Sequence, residues 1–139
     1  KSVLSYVGSI INKEKLKLAG LPNKDYFIYF DDTEHGMRLN NLGRIICLTH
    51  MVVDHDIPAS EEGITWKTYY KYRNMISTYE KHFKGKCFWF FISKVRIKIF
   101  LNRLTGNKNK EINILEKAYQ DVKSGNFGMD SVYKPGYKP

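Results

Sequence analysis

Tyr69, Tyr72, Ile76, Tyr79 and Phe83 recur at steps of three, four, three and four. That spacing lays five large apolar side chains along one helical face, whereas a strand would scatter them over both of its faces. Lys84, Gly85 and Lys86 then break the run. In "CFWFFISKVRIKIFLNRL", Phe88, Phe91, Ile92, Val95 and Ile99 form a second helical stripe. Its tail, "VRIKIFL", also alternates like a strand, and length and neighbours favour helix. Phe88 to Phe91 are four consecutive aromatics facing several directions, so some are expected to be exposed or to meet a partner. After the polar turn "TGNKNKE", "EINILEKAYQDVKSG" is a third helix, with Ile112, Leu115, Tyr119 and Val122 on one side and Gly125 as its stop. "SVYKPGYKP" is an irregular tail.

The first sixty residues follow another pattern. A short strand is expected around Val3 to Ile10. Asn12 then caps a short helix that runs through Leu18 and stops at Gly20 before Pro22. "DYFIYF" is a strand or extended entry segment. "DDTEHGMRLNNLG" is a helix with acids in its first turn and Gly43 as its stop. "RIICLTHMVVDHD" is β-branched and apolar, which predicts one or two buried strands, and "IPASEEG" is a loop. The expected fold class is α/β, an α+β fragment with few strands followed by a mainly helical region. The expected division is 1–62 and 63–139.

The chain of 139 residues is about one domain long. Cys47 and Cys87 match no zinc or redox spacing, and a reduced, intracellular setting is the simpler expectation. No signal peptide and no membrane span is visible, and the first residue is not Met, so a piece of a longer protein is expected. The net charge of +9 is unevenly spread. Residues 1–62 hold 7 Lys/Arg and 9 Asp/Glu, a net of −2, while residues 63–139 hold 16 and 5, a net of +11. The basic half is expected to face anions: phospholipid, nucleic acid or a phosphorylated ligand.

Asp31, Asp32 and Glu34 lie within four positions of one another, directly after an aromatic run. Acids at a helix start complement its dipole and cap free N–H groups. Three carboxylates exceed what a cap needs, and their position after an apolar segment also suits a ligand site. Of the histidines, His55 lies between Asp54 and Asp56. It is either a metal ligand or an ordinary loop residue. His35 is a weaker candidate, His50 has an apolar setting that suggests a structural role, and His82 lies among lysines and is expected to be solvated.

The order of these motifs resembles a known family. "YVGSIINKEKLKLAGLP", "FIYFDDTEHGMRL" and "RIICLTHMVVDHD", with "YYKYRN" beyond, are similar to the second half of family 2 glycosyltransferases with the GT-A fold. The bacterial rhamnosyl- and galactofuranosyltransferase-like members fit best. The likeness covers most of residues 5–80 and fades in the basic helices. It implies the C-terminal part of a GT-A nucleotide-diphospho-sugar transferase fold, with residues 1–62 on the acceptor side of the catalytic domain. It implies an inverting transfer in which Asp32 is the general base and Asp31 and Glu34 bind acceptor hydroxyls or orient the base. His55 would be a ligand to Mn²⁺ or Mg²⁺ in the full-length enzyme. The family's nucleotide-binding region and D-x-D motif have no counterpart here, so this chain alone is expected to be inactive.

The partners so implied are a nucleotide-sugar donor and a saccharide or lipid-linked acceptor in bacterial surface polysaccharide synthesis. The location implied is cytoplasmic, peripheral at the inner face of the plasma membrane. In "WKTYYKYRNMISTYEKHFKGKCFWFF", aromatics interleave with Lys and Arg, which fits helices resting on an anionic membrane surface. The alternatives are a small basic module for nucleic acid or anionic partners, ranked behind the transferase, and a helical interaction domain with the aromatic stripe as a homodimer seam.

Overall fold

The computed structural model describes residues 4–56, 63–106 and 109–137. They form five α-helices: α1 (Lys13–Ala19), α2 (Asp31–Leu42), α3 (Trp66–His82), α4 (Lys86–Leu104) and α5 (Lys110–Ser124). A single 3₁₀ turn spans Lys24–Tyr26. The expected loop at 57–63 lies, up to residue 62, outside the described residues.

No strand occurs among the described residues, so the α/β class and the GT-A sheet are corrected to an all-helical arrangement. The reason lies in where the backbone groups go. In "DYFIYF", Phe27, Tyr29 and Phe30 have φ of 63°, 63° and 65°, which no strand tolerates. The carbonyls of Tyr26, Ile28 and Tyr29 are taken instead by one side-chain amide, that of Asn74. In "RIICLTHMVVDHD", residues 44–56 form no ladder, and Ile46, Leu48, Met51, Val52 and Val53 are exposed. β-branched residues favour a strand only where a neighbouring strand and a covering layer exist, and neither is found here.

The chain divides into two compact units, Lys1–Lys24 with Asp31–Glu62, and Asp25–Phe30 with Gly63–Pro139. In the first, the Asn12 side chain accepts from the amides of Glu14 and Lys15 at 3.0 and 3.1 Å and so starts α1. Arg38 ties α2 to the end of α1. It bonds the Ala19 carbonyl, and the Leu21 carbonyl at 2.9 Å. Gly36 lets the N-terminal segment approach α2: a Cβ there would sit 2.6 Å from Leu4 Cβ and 3.2 Å from the Leu4 backbone nitrogen. In an open helix Gly→Ala gains up to about 1 kcal/mol of stability. Here the sign reverses, because backbone cannot step aside as a flexible side chain can. Gly36→Ala is expected to destabilise this unit by about 1–3 kcal/mol, read as a lower urea midpoint.

In the second unit α5 packs along α3, and α4 packs against α5. One core cluster joins Ile76 of α3, Ile92, Val95 and Ile99 of α4, and Leu115 and Val122 of α5. A second joins Tyr69, Tyr70, Ile114 and Ala118. Of the stripe on α3, Tyr69 and Ile76 are buried in these clusters, Tyr72 packs against them, and Tyr79 and Phe83 are half-buried outside them. Of the aromatic quartet, Phe88 and Phe91 pack on the first cluster, while Trp89 and Phe90 are exposed. Thr65 and Thr68 close a capping box at the start of α3. Gly125 takes the left-handed position after α5.

Arg73 and Asn74 lock Asp25–Phe30 onto α3. Arg73 is 1% exposed and has no carboxylate in hydrogen-bonding contact among the described residues. Its guanidinium donates instead to the carbonyls of Gly128, Asp25 and Tyr26 and to Asn74 Oδ1. The rings of Tyr69, Tyr70 and Phe127 lie 5.0–5.4 Å from it. Asn74, fully buried, donates through Nδ2 to the carbonyls of Tyr26, Ile28 and Tyr29 at 2.8–2.9 Å. Tyr26, also fully buried, bonds Ser77 and Thr78.

Asp121 is the buried acid of this unit. It accepts from Tyr69 at 2.6 Å, Lys117 at 2.5 Å and Asn126 at 3.2 Å. Burial pushes its carboxyl up, but these bonds outweigh burial and hold it below the usual carboxylate range. Its contribution to stability is therefore complete above the unfolded value of about 3.9 and is lost as the pH falls towards the lower folded value. Asp121→Asn is expected to flatten that acid limb of a stability–pH profile.

Candidate functional site

The acid cluster opens α2. Asp31 and Asp32 are half-buried, and Glu34 is 4% exposed. Asp32 Oδ1 accepts from the backbone amide of Thr33 at 2.6 Å and from its hydroxyl at 3.2 Å. It thus satisfies one free amide of the first turn, as a cap would. Glu34 points the other way along the helix. Both its oxygens accept from Arg38, at 2.9–3.1 Å, one turn on. Arg38 is the only cation of α2, and Glu34 holds it. Among the described residues, neither Asp31 nor Asp32 is ion-paired to a Lys or Arg. The three acids are therefore of two kinds: a pair of accessible carboxylates without a counter-ion, and a buried one that fixes the helix to the end of α1.

Beside the pair lies a contact that the sequence did not announce. The Tyr6 hydroxyl is 2.8 Å from His35 Nδ1. Burial first, then the charges of Asp31 and Asp32, push the Tyr6 phenol up to about 12, so it keeps its proton. His35, 1% exposed, is held below the ordinary imidazole value by burial and by Arg38. A neutral imidazole beside a protonated phenol accepts at Nδ1, which leaves the ring proton on Nε2. That buried atom has no hydrogen-bond partner among the described residues. Twenty-nine residues separate Tyr6 from His35. No periodicity or spacing rule links positions so far apart.

The other histidines divide differently from their sequence settings. His55 and its neighbours Asp54 and Asp56 are exposed. No group of three or more His, Cys, Asp or Glu able to hold a metal occurs among the described residues. A hard divalent cation takes six or more oxygen-rich ligands, and one exposed imidazole does not meet that need. Among the described residues, the donor set around His55 does not fit Mn²⁺ or Mg²⁺. His50 is exposed in a turn rather than buried among apolar residues, and His82 is half-buried rather than free in solvent. Cys47 and Cys87 are exposed free thiols. No helix among the described residues is long and apolar enough to cross a membrane. Comparison of the chain with protein-family models, with curated proteins and with solved structures found no match.

Proposed function

We propose that this chain carries the acceptor-binding and catalytic-base portion of an inverting glycosyltransferase acting from a nucleotide-sugar. The observation that carries the reading is the uncompensated, half-buried carboxylate pair Asp31–Asp32 in the first turn of α2. A carboxylate that no cation neutralises remains free to take a proton. The order of motifs around it is the second support. The reading rests on this local chemistry and not on a sheet.

Asp32 accepts the proton of an acceptor hydroxyl as that oxygen forms a bond to the anomeric carbon. The bond from that carbon to the nucleoside diphosphate breaks, and its electron pair leaves with the diphosphate. A single displacement with base and leaving group on opposite faces inverts the centre. Asp31 binds an acceptor hydroxyl. Glu34 serves by holding Arg38 and the helix in place, which is the orienting option among its two expected roles. Donor recognition falls to residues beyond those described. The test is transfer by the enzyme that contains this chain, with Asp32→Asn compared to the parent. Turnover near the parent's would remove Asp32 as base.

A further inference from the structure

Helix α4 carries two apolar stripes on opposite faces. Ile92, Val95 and Ile99 enter the core. At 3.6 residues per turn, Trp89, Phe90, Ile97, Phe100, Leu101 and Leu104 fall on the other side. These six are 49–70% exposed. An outward stripe of this size on a helix already anchored by its inner face is not explained by folding. Exposed basic residues flank it, Lys94 and Lys98 on one edge and Arg96 and Arg103 on the other. Lys94 Nζ lies 4.2 Å from the Phe90 ring, and Arg103 pairs with Glu116. The helix holds five Lys/Arg and no Asp or Glu.

We propose that the outward face of α4 docks on the surface of an anionic lipid bilayer. The six apolar side chains enter the acyl boundary, and Lys94, Arg96 and Lys98 lie at headgroup level. Charge selects this occupant. A second copy of α4 would set cations against cations. A nucleic acid would satisfy the basic edges and could stack on Trp89, Phe90 and Phe100, but Ile97, Leu101 and Leu104, half of the stripe, offer no ring for a base to stack on. The helix lies on the bilayer and does not cross it, since its basic residues interrupt the apolar length that crossing needs. The inference stands on α4 alone and is independent of the glycosyl-transfer reading.

The chain has two tryptophans, so Trp66→Phe leaves Trp89 as the sole indole reporter. With vesicles of phosphatidylcholine and phosphatidylglycerol at low salt, Trp89 emission is expected to shift to the blue and to be quenched by brominated acyl chains. Vesicles of phosphatidylcholine alone should leave it nearly unmoved. Ile97→Glu with Leu101→Glu changes only exposed positions and is expected to weaken vesicle binding about tenfold or more, with unchanged circular dichroism. If that variant misfolds, Lys94→Glu with Lys98→Glu replaces it, with the same expected loss. Emission unmoved by anionic vesicles at low salt overturns the proposal, as does binding that both variants retain. A blue shift that follows protein concentration, with a dimer in sedimentation, assigns the face to a second copy and overturns it. A shift produced only by an RNA oligonucleotide assigns it to nucleic acid, with the same result.

Discussion

Asn74→Ala is expected to destabilise the unit formed by Asp25–Phe30 and Gly63–Pro139 by about 3–5 kcal/mol. That is a large share of the roughly 5–15 kcal/mol that holds a domain together. One amide nitrogen serves three carbonyls, of Tyr26, Ile28 and Tyr29. Alanine leaves all three without that donor and deprives Arg73 Nε of its acceptor, Asn74 Oδ1. Water cannot easily replace it, because Asn74 is fully buried. The aromatic segment has its own reason to spring open. Phe27, Tyr29 and Phe30 sit in left-handed backbone conformations, each costing about 1–3 kcal/mol that the surrounding contacts must offset. Urea unfolding of the chain gives the loss, and amide exchange across 25–30 gives its location. A midpoint within error of the parent would show that the three bonds do not hold the segment.

Under the glycosyl-transfer reading proposed above, Asp32→Asn is expected to lower turnover about 10²- to 10⁴-fold, the usual contribution of a general base. Nucleotide-sugar binding should be unchanged. The amide keeps the size of the side chain and an oxygen for the Thr33 amide, so α2 should still form. It loses only the ability to take the acceptor's proton. Asp31→Asn is the contrasting variant: as an acceptor ligand, its loss should fall mainly on acceptor KM. Equal losses of turnover in both would mean that the pair acts as one unit. Unchanged turnover in Asp32→Asn would end its assignment as base.

The helices were legible because each carries its own evidence. Asn12, Gly20 and Gly125 mark ends through local hydrogen bonds or backbone conformations that the sequence reveals, whereas the Thr65 cap of α3 went unread. The stripes of α3 and α5 named Tyr69, Ile76, Leu115 and Val122, which enter the core of the second unit, but missed Tyr70, Ile114 and Ala118, which enter it too. The strands were misread because a strand is a property of two segments. "DYFIYF" has the composition of one, and its carbonyls went to the side chain of Asn74, 45–48 residues away. The "YYKYRN" motif contained that partner, but a motif does not say what its side chains hold. At the acid cluster, the sequence singled out Asp31, Asp32 and Glu34 without dividing them. Arg38, four positions after Glu34, held the clue, since i,i+4 pairs meet on a helix face. Tyr6 offered no such clue, because its contact with His35 is made only by the fold.

The segment 44–56 also matters for how the chain behaves in bulk solution. Its β-branched run lies uncovered, with Ile46, Val52 and Val53 more than half exposed and no ladder to occupy its amides and carbonyls. Such a stretch is a template for identical stretches on neighbouring molecules, and stacking of that kind grows with concentration. Asp54 and Asp56 at its end are the gatekeepers, since stacked copies would bring their charges into register. Colloidal stability at high concentration therefore draws on those two charges and on the net charge of +9, and low-salt storage, which leaves both unscreened, follows in part from the backbone of one unpaired segment.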